Sequence, residues 1–203
     1  MRGCMASALF ATIFMSNTIF AASSVNLGLG IDYTPIARLR YVNNPGADFE
    51  IVDNIAWQGR VSYDFGNGFK SGLIFDILNK TIHPGAHTTT DLSIWGLGAF
   101  GDYGYEITES GHALLVAGIE TGYGELTDKS QGISKSSGAI WIAGMAGFRF
   151  LIARKVWLET LYRLTWQEFE IATYPERKYK FSSSSLRVSL DYPIFSRKDR
   201  TEK

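Results

Sequence analysis

Two histidines four residues apart are the first candidates for metal chemistry. His83 and His87 are the first and last residues of the segment HPGAH, and three threonines follow it. Histidines at this spacing bind zinc when both lie on one face of a helix. Here Pro84 and Gly85 predict a turn instead, and the surrounding loop contains no carboxylate. We therefore expect a plain polar loop, and the sequence predicts no metal site.

The third histidine lies beside an acid and a hydroxyl group. His112 follows Glu109 and Ser110 in the short segment ESGH. These are the residue types of a hydrolytic triad, but a triad requires alignment in space, and turn composition explains the segment better. The glycines of GLGAFGDYG lie on an alternating segment and do not open a helix, so they predict no phosphate-binding loop. The sequence therefore predicts no catalytic residue and no cofactor.

The dominant pattern of the chain is alternation of apolar and polar residues. In SLRVSLDYPIF, for example, Leu186, Val188 and Leu190 share one face, whereas Arg187 and Asp191 share the other. A period of two residues indicates a β-strand. Turn signals, of which GNG at 66–68 is the strongest, separate eight such segments. They cover about 25–41, 49–65, 69–80, 91–107, 113–125, 138–151, 155–171 and 185–195.

Three properties of these segments predict a membrane barrel rather than a soluble sheet. They are about 11–17 residues long, whereas soluble strands usually have about 5–6 and about 9–11 tilted residues cross a bilayer. Tight and longer connections alternate along the chain. The apolar faces carry almost no charge, and the exceptions, Asp53 and Glu168, lie toward loop ends. We therefore predict an all-β fold, an eight-stranded antiparallel up-and-down transmembrane β-barrel.

Aromatic residues support this orientation because they group near both ends of the segments, as in the two interfacial belts of membrane barrels. The group near the tight turns is Tyr63, Phe65, Phe69, Tyr103, Tyr105, Phe148, Phe150 and Tyr192. The group near the longer connections is Tyr41, Phe49, Trp57, Trp95, Tyr123 and Trp166.

The polar faces then point into a narrow lumen that side chains can fill. Both signs of charge occur there, so we predict ion pairs across the lumen, because buried charges need partners. Glycines at 96, 98, 118, 122 and 124 are expected to make room for the long charged side chains. The predicted lumen charge network consists of Asp32, Arg38, Arg60, Asp64, Lys70, Asp76, Asp102, Glu106, Glu120, Glu159, Arg163, Arg187 and Asp191.

The N-terminus has the pattern of an export signal. Arg2 precedes a mostly apolar run, and AASS offers small residues for cleavage after Ser23. We predict a signal peptide at 1–23, a barrel at 24–195 and a short charged tail at 196–203. Cys4, the only cysteine, would be removed with the signal, which leaves no disulfide. The 20 basic and 20 acidic residues balance, so nothing predicts binding to nucleic acid.

These segments resemble the small eight-stranded outer-membrane barrels of Gram-negative bacteria, such as the OmpA membrane domain, OmpX, OmpW and the neisserial opacity proteins. The resemblance implies an outer-membrane location and contact with lipopolysaccharide and phospholipid. The sequence leaves the oligomeric state open, with a monomer favoured. It also implies that barrel-assembly machinery reads a signal in the last strand, formed here by Leu186, Val188, Leu190, Tyr192 and Phe195. Two prolines depart from the pattern, because Pro35 and Pro193 interrupt strand pairing and predict a bulge or an earlier strand end.

The leading functional hypothesis is a structural or surface-exposed, non-catalytic barrel whose polar lumen is filled. The first alternative is a narrow channel for small or apolar solutes, as the resemblance to OmpW implies. A lipid-modifying enzyme is the second alternative. The His-x-Ser pair of lipid A deacylases is not present, and only His83 and His87 leave the palmitoyl-transferase pattern open. Adhesion through the loops is a further hypothesis.

Overall fold

The computed structural model describes residues 23–40, 48–85, 88–130, 133–171 and 177–196. Residues 1–22 of the predicted signal peptide, Tyr41, His87 and the tail after Ser196 lie outside this range. No helix in the described ranges is long and apolar enough to cross a membrane. Eight strands are present: β1 (Ser24–Arg40), β2 (Asp48–Asp64), β3 (Phe69–Gly85), β4 (Thr88–Glu106), β5 (Ala113–Ser130), β6 (Ile133–Ala153), β7 (Val156–Ile171) and β8 (Arg177–Ser196).

The strands form a closed barrel in which each strand pairs antiparallel with its neighbour in sequence. The last strand closes on the first, with Leu29 opposite Leu190 and Ile31 opposite Val188. The predicted fold class is therefore confirmed. The three tight turns, the first residue of β1 and the last residue of β8 lie at one end of the barrel, which we call the tight-turn end. The connections β1–β2, β3–β4, β5–β6 and β7–β8 define the long-hairpin end.

Glycines shape two of the tight turns. Gly66 and Gly68 have φ angles of 76° and 86°, and Gly111 has a φ angle of 67°, a region that only glycine adopts readily. The Asp64 carboxylate accepts a hydrogen bond of 2.8 Å from the Gly66 backbone amide, which fixes the first turn.

The strands extend further toward the long-hairpin end than the sequence predicts. The segment 126–137, expected to be a polar connection, continues β5 to Ser130 and begins β6 at Ile133. Thr127 and Ser136 lie opposite each other there, and their hydroxyl groups are 3.0 Å apart. The prediction of a long loop is wrong because an antiparallel ladder needs only backbone hydrogen bonds, which polar residues in water also form.

The two prolines coincide with irregularities in the β1–β8 ladder. The register shifts between Tyr33 and Ile36, around Pro35, and again beside Pro193. Proline lacks the amide hydrogen that the ladder requires, so one extra residue is accommodated at each place.

The barrel has an apolar exterior and a polar interior, the inverse of a soluble protein. Ile119, Ile140 and Leu29 on the outer face are 71%, 72% and 66% exposed. Arg187 and Glu159 on the inner face are each 0% exposed. A contiguous exposed apolar surface of this kind requires an apolar surrounding.

One of the eight ladders is short. Strands β2 and β3 pair from Asp64–Lys70 only as far as Trp57–Ile77. Beyond this point β2 continues to Asp48 along β1, and β3 continues to Gly85 along β4. No described ladder joins β2 to β3 in this upper part, which we call the β2–β3 gap.

Candidate functional site in the barrel lumen

The charged residues of the lumen form two clusters. The lower cluster lies nearer the tight-turn end and contains three basic and three acidic side chains: Arg60, Lys70, Arg149, Asp102, Glu159 and Asp191. The upper cluster contains two arginines and three acids: Arg163, Arg187, Asp32, Asp76 and Glu120. Ten of these eleven residues are members of the predicted network, and the eleventh, Arg149, is a lumen charge that the prediction missed.

Glu159 is the centre of the lower cluster. Its two carboxylate oxygens lie 2.5 Å from the Arg60 guanidinium and 2.6 Å from the Arg149 guanidinium. Arg149 also reaches Asp102 at 2.9 Å, and Arg60 reaches Asp191 at 3.0 Å. All of these side chains are at least nine-tenths buried, so each charge depends on its partners rather than on water.

Asp191 receives a second cation in the lower cluster. The Lys70 ammonium group pairs with the same carboxylate that Arg60 contacts. The three positive and three negative groups of this cluster therefore compensate one another, as buried charges require.

Glu120 is the centre of the upper cluster. It accepts a hydrogen bond of 2.7 Å from Arg163 Nε and is paired with Arg187. Both arginines also approach one oxygen of Asp32, at 3.4 and 3.5 Å. Asp76 lies 3.7 Å from Arg163 and accepts a hydrogen bond of 2.8 Å from the Gln58 amide. This cluster thus has one more acid than base among its described members.

Three residues predicted for the network are not brought into it. Glu106 is exposed at the tight-turn end, and Asp64 lies half-buried at the same rim and fixes the first turn. Their prediction as lumen residues is wrong because parity gives the direction of a side chain but not its depth along the barrel. Arg38 belongs to β1, but its side chain lies outside the described part of the structure.

The inner face also carries an apolar cluster that the sequence analysis missed. It contains Ile74, Phe100, Val116, Trp141, Ala143, Met145 and Leu161. The Arg60 guanidinium lies 5.2 Å from the centre of the Phe100 ring, and the Arg163 guanidinium lies 4.9 Å from the centre of the Trp141 ring. Such cation–π contacts connect the apolar cluster to both charge clusters.

The lumenal glycines make room mainly for Trp141, not for the charged side chains as predicted. A Cβ atom at Gly98 would lie 2.6 Å from the indole, and one at Gly122 would lie 2.9 Å from it. Gly118 faces Met145 and Asp102 instead. The sequence contained a signal for this arrangement. Trp141 has inward parity and pairs with Gly122 of β5, and the inward positions of β4 and β5 are rich in glycine.

A cavity of about 100 Å³ lies above the upper cluster. Its lining includes Asp32, Asp76, Trp141, Arg163 and Thr165. Two buried oxygens there have no hydrogen-bond partner among the described residues, Asp32 Oδ1 and Thr165 Oγ1. The amide nitrogen of Gln167, which also lines the cavity, is a donor without such a partner, so the cavity presents both acceptor and donor atoms to a group that enters it.

The candidate catalytic residues are not brought together. His112, Glu109 and Ser110 are all exposed in the β4–β5 turn, where Ser110 lies 3.4 Å from the Thr108 hydroxyl. The side chains of His83 and His87 lie outside the described residues. In the described ranges, no group of three or more His, Cys, Asp or Glu is arranged to hold a metal ion.

The residues of the predicted assembly signal lie in β8 between β1 and β7. Leu186, Leu190, Tyr192 and Phe195 are exposed on the outer face, and Val188 is half-buried. Their reading by assembly machinery remains a prediction.

A closed eight-stranded barrel with an apolar exterior and a filled, charged lumen defines the architectural class of the small outer-membrane barrels. No protein-family model matches the sequence, and no curated protein does.

Several solved structures are nevertheless similar in fold. Neisserial surface protein A (NspA) matches with a TM-score of 0.64 and 14% identity, over 85% of this chain and 99% of that one. Ail, the attachment invasion locus protein of Yersinia pestis, matches over the same shares with a TM-score of 0.49 and 13% identity. The outer membrane protein AlkL matches over 93% of this chain and 96% of that one, with a TM-score of 0.47 and 11% identity. The likeness to NspA confirms, for the fold, the predicted resemblance to small outer-membrane barrels.

Proposed function

We propose that this chain is an integral outer-membrane β-barrel with a structural or surface-exposed, non-catalytic role. The observation that carries the proposal is the inverted distribution of polarity. Ile119 and Ile140 are largely exposed on the outside, whereas the arginines and acids of both clusters lie inside. In water this arrangement would expose a large apolar surface, but in a bilayer the same surface contacts acyl chains.

The filled lumen favours a structural role over conduction. The two charge clusters bridge β1, β2 and β8 to β4, β5, β6 and β7 across the barrel axis. Phe100, Trp141 and Met145 occupy much of the remaining space. An eight-stranded barrel leaves an interior just wide enough for such side chains.

An outer-membrane location determines the proposed lipid contacts, export route and orientation of the barrel. The outer face would contact lipopolysaccharide and phospholipid, the chain would arrive through a cleaved export signal, and barrel-assembly machinery would insert it as a monomer. Short turns and the strand termini would then face the periplasm, and the long hairpins would face the outside.

Ile119→Arg tests the lipid-facing surface. We expect the free energy of unfolding in phosphatidylcholine vesicles to fall by about 2–4 kcal/mol, because a charge near the middle of the apolar band meets hydrocarbon. Urea titration followed by tryptophan fluorescence measures this change.

Glu109→Arg in the exposed β4–β5 turn is the matched control and is expected to change stability by less than about 0.5 kcal/mol. If Ile119→Arg were as neutral as this control, the outer face would be in contact with water and the proposal would be wrong.

The filled lumen leads to a second expectation. Purified protein in a planar bilayer should give no steady unit conductance, because the two charge clusters and the apolar cluster block the axis. A reproducible conductance step, abolished by heat unfolding of the same sample, would contradict the filled-lumen role.

A narrow conduit is the second candidate function. The β2–β3 gap and the adjoining cavity favour it, because together they provide an opening in the wall that does not require movement of either charge cluster. The planar-bilayer recording distinguishes the two functions if the solute is an ion: a structural barrel gives no unit conductance, whereas an ion conduit does.

A further inference from the structure

The first tight turn contains the only asparagine of the sequence that is followed by glycine. Asn67 precedes Gly68 in the connection from β2 to β3, and its side chain is exposed. Asparagine is chemically labile because the amide nitrogen of the next residue can attack its carboxamide carbon. Glycine at that next position has no side chain to hinder the attack. Asn67 is therefore the first candidate in the chain for a modification that needs only water.

The other asparagines in the described ranges are poorer candidates. Asn26 and Asn54 are only 6% and 2% exposed. Asn79 is exposed, but it is paired in the β3–β4 ladder and is followed by lysine. Exposure, a place outside the ladders and a following glycine thus coincide at Asn67 alone among the described asparagines.

A hydrogen bond restrains the carboxamide of Asn67 beside the peptide group that would attack it. The backbone amide of Phe69 donates to Asn67 Oδ1 at 3.1 Å. This bond closes a ring of atoms that contains both Asn67 Cγ and the amide nitrogen of Gly68. The ring limits how far the two reacting atoms can move apart, and such restraint lowers the entropic part of a reaction barrier.

The same hydrogen bond is placed to stabilise the charge that develops in the reaction. When the Gly68 nitrogen adds to Asn67 Cγ, negative charge collects on Oδ1, the atom that the Phe69 amide already contacts. The Gly68 carbonyl accepts a hydrogen bond of 2.8 Å from Gly104, whereas the Gly68 amide donates none to a described residue. The turn therefore supplies a free nucleophile and a donor for the oxyanion.

We propose that Asn67 is a self-catalysed modification site, at which the side chain passes through a cyclic imide to aspartate and isoaspartate. The Gly68 nitrogen bonds to Cγ and loses its proton to solvent, while the Cγ–Nδ2 bond breaks and Nδ2 takes up a proton and leaves as ammonia. One water molecule then opens the imide, at Cγ to give aspartate or at the main-chain carbonyl carbon to give isoaspartate. This inference goes beyond the proposed function and does not depend on it.

The isoaspartate product would affect the hairpin that has the shortest ladder. The turn is closed by a hydrogen bond of 3.0 Å from the Phe65 amide to the Phe69 carbonyl, and isoaspartate adds a methylene group to the main chain inside this closure. The ladder that follows ends at Trp57 and Ile77. We therefore expect the isoaspartate form to unfold at a lower urea concentration than the unmodified chain.

The experiment follows purified protein in phosphatidylcholine nanodiscs during storage in mildly alkaline buffer. Mass spectrometry of proteolytic peptides should show, at Asn67, the mass difference between an amino and a hydroxyl group, while Asn79 stays unchanged. Fragmentation of the main chain separates isoaspartate from aspartate. Asn67→Gln should remain unmodified at this position, because glutamine would have to close a larger ring.

Lys80→Gly provides the matched control, because it places a second asparagine–glycine pair in an exposed but hydrogen-bonded strand. Asn79 in this variant should react at least about tenfold more slowly than Asn67 in the same molecule. A synthetic peptide with the sequence of residues 64–70 gives the rate without the fold. Asn67 in the barrel should react at least as fast as in this peptide.

Three results would overturn the inference. Equal rates at Asn67 and Asn79 in Lys80→Gly would show that the turn contributes nothing. A rate in the barrel more than about tenfold below that of the peptide would show that the turn protects Asn67. Asn67→Asp carries the new charge without the longer main chain, so a stored sample rich in isoaspartate with the same urea midpoint as this variant would refute the effect on the hairpin.

Discussion

Glu159→Gln is expected to lower the free energy of unfolding in lipid vesicles by about 3–5 kcal/mol. The substitution keeps the shape of the side chain but removes the charge that Arg60 and Arg149 share, at 2.5 and 2.6 Å. The lower cluster then holds three cations against two acids, and all of these side chains are buried. Urea titration of the tryptophan fluorescence in vesicles gives the change directly.

Two further variants test whether the loss of stability comes from the unpaired cations of the lower cluster. Glu106→Gln removes a carboxylate from the exposed rim and should change stability by less than about 0.5 kcal/mol. Arg149→Gln combined with Glu159→Gln restores a balance of two cations and two acids, so the double variant should be more stable than the sum of the single effects predicts. Strict additivity of the two single effects would show that the groups are not coupled.

Trp141→Ala is expected to cost about 3–5 kcal/mol, the range found for large aromatic residues that leave a cavity behind. The indole is 3% exposed and fills the space in front of Gly96, Gly98 and Gly122. These glycines have no side chains with which to refill the space, so the cavity should persist. Thermal or urea unfolding in vesicles measures the loss.

Trp166→Ala is the control for the loss of an indole. Trp166 is 55% exposed on the outer face, where lipid chains replace the lost contacts. Its effect should be clearly smaller than that of Trp141→Ala. Equal effects would mean that the lumenal indole does not support the barrel from within.

The barrel itself could be predicted from the sequence because a strand exposes its two faces at a strict period of two residues. The alternation at Leu186, Arg187, Val188 and its counterparts in the other segments fixed the strand number, the direction of each face and the charged residues that meet inside. Ten predicted lumen residues do lie in the two clusters, and Arg149 joins them without having been predicted.

The remaining features depend on how far along the barrel axis a residue lies and on which residues it meets across the lumen. The alternation of the strands predicts neither. Asp64 and Glu106 have the inward parity of the network residues but lie at the rim. The apolar inner cluster around Trp141 is formed by residues from five strands, and no local pattern shows that they meet. The β2–β3 gap was also not predictable, because each strand edge has an ordinary sequence and only the register reveals where pairing stops.

Several lumenal ion pairs join residues that are far apart in the chain, and this has a consequence for the order of folding. Arg60 and Asp191 are separated by 131 positions, and Asp32 and Arg187 by 155. These charges cannot neutralise each other until β8 has docked against β1. A half-assembled sheet would hold Arg60 without Asp191 and Arg187 without Asp32, so partly closed intermediates are disfavoured and closure becomes a cooperative final step.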